Sequence, residues 1–303
     1  MTVKPSISLI GAGAAGSALV IALSRKGYPI ATISSRRLES AQACAALCGA
    51  AHATSDNLSA CRSGDILILA TPDRLITPVC EALAQAAGFT PAQLVLHLSG
   101  ALSSDCLSAA ATAGADTCAM HPLQTLAQPL EGACLLEAAW FCLEGEAPAV
   151  ARARELVEQL SGRVLTIAKQ QRTLYHAALC VASNYLVVLE QLAVDMLIQA
   201  GVEQSAALPA LMPLIRGTTE NLAACGLPNA LTGPISRGDA VTVEAHLHMI
   251  QQRCPSYLPL YRDLGRQALR IAAEKGRMTQ EGAARLTDLL LENAENIPQG
   301  VAE

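Results

Sequence analysis

The sequence predicts an α/β fold in which a doubly wound parallel sheet is followed by an all-α C-terminal domain. Three observations predict it. Short apolar runs alternate with Ala-rich helical stretches through the first half of the chain. Those runs lack polar alternation, the pattern of strands covered by helices on both faces. Beyond about Gln170 the strand pattern stops, and long amphipathic helical patterns follow, broken at Gly201, Gly226, Thr232-Gly233-Pro234 and Pro255. At 303 residues the chain exceeds the size at which one core stops growing, so two domains are expected, residues 1–168 and 169–303.

Taken in order, Ile7–Ile10, Tyr28–Ser34, Ile66–Ala70, Leu94–Leu98, Thr117–Met120, Trp140–Leu143 and Val164–Ile167 read as strands. The first ends in Gly11-Ala12-Gly13-Ala14-Ala15-Gly16 and feeds a helix, Ser17–Arg25. Strand, three glycines and helix together are the context of a dinucleotide-binding turn. Gly11 makes the tight turn, Gly13 lets a pyrophosphate approach the backbone, and Gly16 lets the helix pack on the strand; the helix N-terminus faces the anion. A Gly/Ala-rich turn without a ligand is the alternative. With this motif the sheet reads as Rossmann-type.

About 20 residues on, at the end of the second strand, an NAD enzyme places a carboxylate. Here the chain has Ser34-Ser35-Arg36-Arg37. Hydroxyls and guanidinium groups accept a 2′-phosphate that a carboxylate would repel, so NADP(H) is the expected cofactor, with Arg36 favoured over Arg37. Thr71-Pro72-Asp73 and His97-Leu98-Ser99-Gly100-Ala101 end the next two strands. Loops at the carboxyl ends of such strands meet the ligand, so Thr71, Pro72, Ser99 and Gly100 complete the expected cofactor set. His97 reads better as a hydrogen-bonded core histidine.

The bulk numbers exclude several classes. A net charge of −5 without a Lys/Arg block argues against nucleic acid and anionic membrane as partners. Eleven cysteines, scattered from Cys44 to Cys254, point to reduced thiols in a cytoplasmic protein, and no ligand spacing suggests a metal site. The run Ile7–Leu23 behind Lys4 has the outline of a signal peptide, but three glycines would break its helix. Elsewhere no uninterrupted apolar stretch reaches the ~18 to 20 residues of a membrane span. The tail after Asn296 is expected to fray.

Taken together, the glycine loop, Thr71-Pro72-Asp73, His97-Leu98-Ser99-Gly100, His121-Pro122-Leu123-Gln124-Thr125, Tyr175-His176-Ala177-Ala178, Ser183-Asn184-Tyr185 and Ala230-Leu231-Thr232-Gly233-Pro234-Ile235 with Arg237-Gly238-Asp239 resemble bacterial proteins that join a Rossmann-like domain to a DUF2520 domain. The likeness covers nearly the whole chain. That family is similar to the 6-phosphogluconate dehydrogenase-like superfamily, including pyrroline-5-carboxylate reductase and ketopantoate reductase. The resemblance implies fold and cofactor more firmly than a reaction.

The expected chemistry lies in the cleft between the domains. Arg172, His176 and Ser183 follow one another at offsets of four and seven, placing them on one face of a helix read over Gln170–Ala200 and about 45 Å long. Asn184 sits beside them, and His121 ends a strand toward the same cleft. The resemblance implies a lysine where Arg172 stands. Arginine clamps a carboxylate but is a poor proton donor, so the acid role shifts to His176. Helix–helix hydrogen bonding is the alternative for this stripe, and a structural break between helices the alternative for Thr232-Gly233-Pro234. Two functions remain: NADPH-dependent hydride transfer to a small, carboxylate-bearing carbonyl or imine substrate, or a non-catalytic NADP(H)-binding sensor or interaction module. The long helix is expected to contribute to a homodimer.

Overall fold

The computed structural model describes residues 3–276 and 278–291; the tail after Asn296 lies outside them. The chain divides into two compact units, Met1–Ala182 and Ser183–Glu303.

In the first unit, β1 (Ile7–Ile10) leads into α1 (Ala14–Arg25), β2 (Ile30–Ser34), α2 (Leu38–Cys48), β3 (His52–Thr54), α3 (Asn57–Ser63), β4 (Ile66–Leu69), α4 (Asp73–Gln85) and β5 (Leu94–His97). Then follow α5 (Ser108–Thr112), β6 (Asp116–Pro122), α6 (Pro129–Leu135), β7 (Trp140–Gly145), α7 (Ala147–Gln159), β8 (Arg163–Thr166) and α8 (Arg172–Leu179). The strands form one sheet in the order β3-β2-β1-β4-β5-β6-β7-β8. All neighbouring strands are parallel except β6 and β7, which pair antiparallel and set His121 opposite Cys142.

The unbroken apolar runs have the cause the sequence suggested. In β4, Ile66 and Ile68 enter the core on one face of the sheet while Leu67 and Leu69 enter the core on the other. β5 divides the same way, with Leu94 and Leu96 on one side and Val95 on the other. A sheet buried on both faces has no position for a polar residue to alternate into. All seven expected strands are present, with ends that coincide or shift by one or two residues. The eighth, β3, is three residues long, with His52 exposed, and offers too few positions for a pattern.

The second unit is helical: α9 (Tyr185–Gln199), α10 (Gln204–Cys225), α11 (Pro234–Arg237), α12 (Ala240–Arg253), α13 (Leu258–Glu274) and α14 (Gln280–Leu291). Val243, Leu247 and Ile250 of α12 pack with Leu258 of α13 and with Leu286 and Leu290 of α14. Gly265 makes this approach possible, because a Cβ there would lie 2.6 Å from a Leu290 methyl.

The helix read over Gln170–Ala200 is not one regular α-helix. It opens with a 3-10 turn at Lys169–Gln171 and contains a π turn at Cys180–Asn184. By length and mean hydropathy the run Lys169–Gln199 could cross a membrane, and none of its apolar window is buried.

Candidate cofactor and active site

The glycine turn has the geometry that its sequence suggests. Gly11 sits at φ +106°, and a Cβ there would lie 2.6 Å from the Ala70 carbonyl carbon. At Gly16 a Cβ would meet the Gly11 carbonyl oxygen at 2.6 Å and the Ala70 methyl at 2.7 Å. β1, β4 and α1 close on one another only because both side chains are missing. Gly13 differs, because nothing lies within 4 Å of the position its Cβ would take. That glycine leaves space open rather than relieving a contact.

Gly13 is the N-cap of α1, no side chain caps the helix, and its first turn contains no acid. The first backbone bond into the helix runs from the Ser17 N–H to the Gly13 carbonyl at 2.9 Å. The N–H groups of Ala14, Ala15 and Gly16 therefore stand ahead of the helical ladder, at the positive end of its dipole. Next to Gly11, whose Cβ would lie 2.8 Å from the Thr71 backbone N, the Thr71 hydroxyl is buried without a partner among the described residues. An uncapped helix start, an open position at Gly13 and an unsatisfied hydroxyl together fit a dinucleotide's phosphates. Ala12 packs against the core, so only its backbone is available there.

At the end of β2, Ser34 is buried and its hydroxyl donates to Asn57 Oδ1 at 2.7 Å. Its hydroxyl proton is thus taken up by α3. Ser35 is half-buried, while Arg36 and Arg37 are exposed. Neither arginine forms an ion pair among the described residues.

At the carboxyl ends of β5 and β6 a second group of side chains assembles. Ser99 is buried; its hydroxyl donates to Asp73 Oδ2 at 2.7 Å and accepts from the Ala101 and Leu102 N–H groups. His97 is fully buried, with Nδ1 accepting from the Ser99 N–H and Nε2 at 3.2 Å from the Ser103 carbonyl. Burial, then the nearby Arg172 guanidinium, pushes this imidazole down to about 4. It is a neutral core histidine that fixes the Ser99 loop. Pro72 is exposed and forms the N-cap of α4.

Gly100 provides the floor. A Cβ there would lie 2.8 Å from His176 Cδ2 and 2.9 Å from His121 Nε2, so the missing side chain lets both imidazoles descend onto the loop. His121 Nδ1 lies 2.8 Å from the Tyr175 hydroxyl, and the two rings meet edge to face. His121 is pushed down to about 4, first by burial and then by Arg172 and His176, with Asp73 opposing. Burial, then Cys142, raises the Tyr175 phenol above its ordinary value. His176 Nδ1 lies 3.9 Å from the Cys180 thiol.

Arg172 is 2% exposed. Its Nη2 donates to the Ser99 carbonyl at 2.5 Å, its Nη1 to Cys142 Sγ at 3.5 Å, and its guanidinium stands 5.4 Å from the Tyr175 ring centre. Nε has no partner, and the group makes no ion pair among the described residues. The guanidinium thus supports the site from beneath. Sequence reasoning gave Tyr175 no role, although Arg172, Tyr175 and His176 stand at i, i+3 and i+4, the spacing that places residues on one helix face. It also passed over the Asp73–Ser99 pairing, which requires two loops to meet in space.

Ser183 and Asn184 fall in the second unit, exposed and inside the π turn, where the α-helical offset of seven that aligned Ser183 with His176 does not apply. His246 of α12 has its Nδ1 2.8 Å from the Tyr261 hydroxyl. Gly233, at φ +93°, caps α11 ahead of Pro234, and Gly238, at φ +74°, ends that helix. Asp239 then caps α12 by accepting from the Thr242 N–H. Both motifs thus mark helix boundaries.

Residues 6–92 match the family described as NADP oxidoreductase, coenzyme F420-dependent, and residues 139–268 match the domain of unknown function DUF2520. No curated protein matches the chain. Among solved structures, a protein of Thermotoga maritima is similar at 24% identity, covering 89% of this chain and 99% of its own, with a TM-score of 0.72. A pyrroline-5-carboxylate reductase of Coxiella burnetii is 17% identical over 94% of this chain and 98% of its own, with a TM-score of 0.59. An imine reductase of a Pseudomonas species has the same identity and TM-score over 89% of this chain and 96% of its own. These likenesses establish the shared fold. The two matches follow one another along the chain, an oxidoreductase domain and then a DUF2520 domain, the order of the resemblance read in the sequence.

Proposed function

We propose that this protein is an NADP(H)-dependent oxidoreductase that transfers a hydride to a small, carboxylate-bearing carbonyl or imine substrate. The observation that carries the proposal is the α1 start, uncapped, without an acid in its first turn, and open at Gly13. The backbone N–H groups of Ala14 and Ala15 and the Thr71 hydroxyl would hold the nucleotide's phosphates, and Arg36 with Arg37 its 2′-phosphate. The bound cofactor would supply the hydride. The match at residues 6–92 to an NADP oxidoreductase family supports this reading, as does the group of His121, Tyr175 and His176 at the strand ends.

The test is a titration with NADPH and NADH. NADPH should bind at least roughly tenfold tighter, and Arg36→Ala should abolish the difference, since a hydrogen bond to a charged group is worth about 1.5–3 kcal/mol. Equal affinities in the unmutated protein would sink the 2′-phosphate argument.

The burial of Arg172 favours a second reading, a non-catalytic NADP(H)-binding sensor or interaction module. An arginine bound to a backbone carbonyl and a thiol is suited to holding structure as much as to clamping a substrate. Turnover of any member of a panel of 2-oxo acids and cyclic imines would remove this reading. The exposed apolar side chains of α9 support a homodimer through the helical domain, and eleven free thiols support a cytoplasmic setting.

A further inference from the structure

We propose that the substrate is a carbonyl compound rather than a cationic imine, and that His121 delivers the proton to its oxygen while Tyr175 replaces that proton from behind. The inference rests on the reductase reading and narrows it. Arg172 places a full positive charge beneath this site, 2% exposed and without an ion pair among the described residues. A fixed buried cation favours a neighbouring group that becomes negative and opposes one that is already positive. A carbonyl oxygen becomes negative as its carbon is reduced; an iminium nitrogen begins positive.

The same charge determines which proton donor is possible. The charged and titratable groups around His121 are Arg172, His176 and Tyr175 from α8, Asp73 from α4, His97 from β5 and Cys142 from β7. Asp73 alone favours a charged imidazole, and its carboxylate accepts from Ser99. His121 is therefore neutral, with one ring proton to place. Tyr175 stands 2.8 Å from Nδ1, and when its hydroxyl donates there the proton must sit on Nε2. Nε2 is the atom that approaches Gly100, and it has no partner among the described residues.

The step balances. The carbonyl carbon accepts a hydride from a dihydronicotinamide nucleotide, the C=O π pair moves to oxygen, and the resulting alkoxide takes the proton from His121 Nε2. The Tyr175 phenol passes its proton to Nδ1 as Nε2 loses its own, and on product release solvent returns a proton to Nε2 while Nδ1 hands the phenol proton back, so both groups recover their starting protonation. His121 is the catalytic residue in this scheme; Tyr175 and Arg172 are positioning residues.

Nitrogen-15 NMR of the full-length protein, with His121 assigned through His121→Gln, tests the arrangement without turnover. His121 should stay neutral from about pH 8 to about pH 5 with its proton on Nε2. Tyr175→Phe should release that tautomer. Arg172→Gln should raise the His121 titration by about one unit or more, whereas Arg172→Lys keeps it low. A proton on Nδ1, or titration near the ordinary value in the unmutated protein, overturns the relay whatever the enzyme turns over. With NADPH, 2-oxo acids should react and cyclic imines should not, and Tyr175→Phe should lower kcat about a hundredfold with little change in KM. Imine turnover exceeding that of carbonyls overturns the substrate assignment while leaving the reductase reading intact. Nucleotide binding with silence across both classes overturns both.

Discussion

At Gly11, Gly13 and Gly16 one residue type meets three different demands, and substitution separates them. Gly11→Ala places a methyl against the Ala70 backbone at a positive φ and should cost at least ~2 kcal/mol in urea unfolding. Gly13→Ala meets open space and should leave stability within about 0.5 kcal/mol while weakening NADPH binding, read by fluorescence titration of the same samples. His97 makes a pH-dependent contribution of definite sign. Its unfolded imidazole protonates as the pH falls below 6.5, but the folded one not until about 4, so the unfolded state binds more protons across that window. Stability therefore falls on acidification from pH 7 toward 4, by on the order of 3 kcal/mol from His97, with His121 adding in the same direction. Urea midpoints should show the loss, and His97→Gln should flatten it. Among the candidate residues, the positions set by one local pattern were legible: the glycine turn between β1 and α1, Arg36 and Arg37 just beyond β2, and His121 near the end of β6. The Ser34–Asn57 and His121–Tyr175 pairings were not legible, because their members stand 23 and 54 residues apart in the chain.

At the scale of the element, strands were read well and helices less evenly. A strand covered on both faces announces itself by composition alone, as β4 does. The π turn at Cys180–Asn184 does not, because Cys-Val-Ala-Ser-Asn carries no glycine or proline to mark it. The joins around α11 show the opposite case. Gly233, Pro234, Gly238 and Asp239 are ordinary helix-boundary residues, and the structure uses them as such. Gly238→Ala forces a side chain into the left-handed region and should destabilise the protein by about 1–2 kcal/mol, measurable as a lowered Tm.

For the whole molecule, the expected division at 168/169 and the compact units meeting at 182/183 differ by one stretch of helix. Strand content ends where the sequence suggested, but α8 is tied to the sheet unit by Arg172, which reaches the Ser99 carbonyl and the Cys142 thiol. Periodicity reports that a helix begins; it does not report what the helix packs against. No α9 side chain is buried, and Tyr185, Val187 and Val188 are 57%, 70% and 55% exposed. Such an apolar face is expected to find a partner. If that partner is a second copy, Val187→Lys should shift the protein from dimer to monomer in sedimentation, while the unmutated protein sediments as a dimer.

The glycine turn is held by contacts that involve almost no polar side chains, whereas Arg36 and Arg37 stand in solvent at the rim. Scaffold and selectivity are therefore separable. On the proposed reading, the grip on a nucleotide would reside in the path of the chain, and the preference among nucleotides in a few replaceable groups beside it. If NADP(H) is the coenzyme, a redesign toward the unphosphorylated one would leave the turn untouched and begin by exchanging Arg36 for a carboxylate.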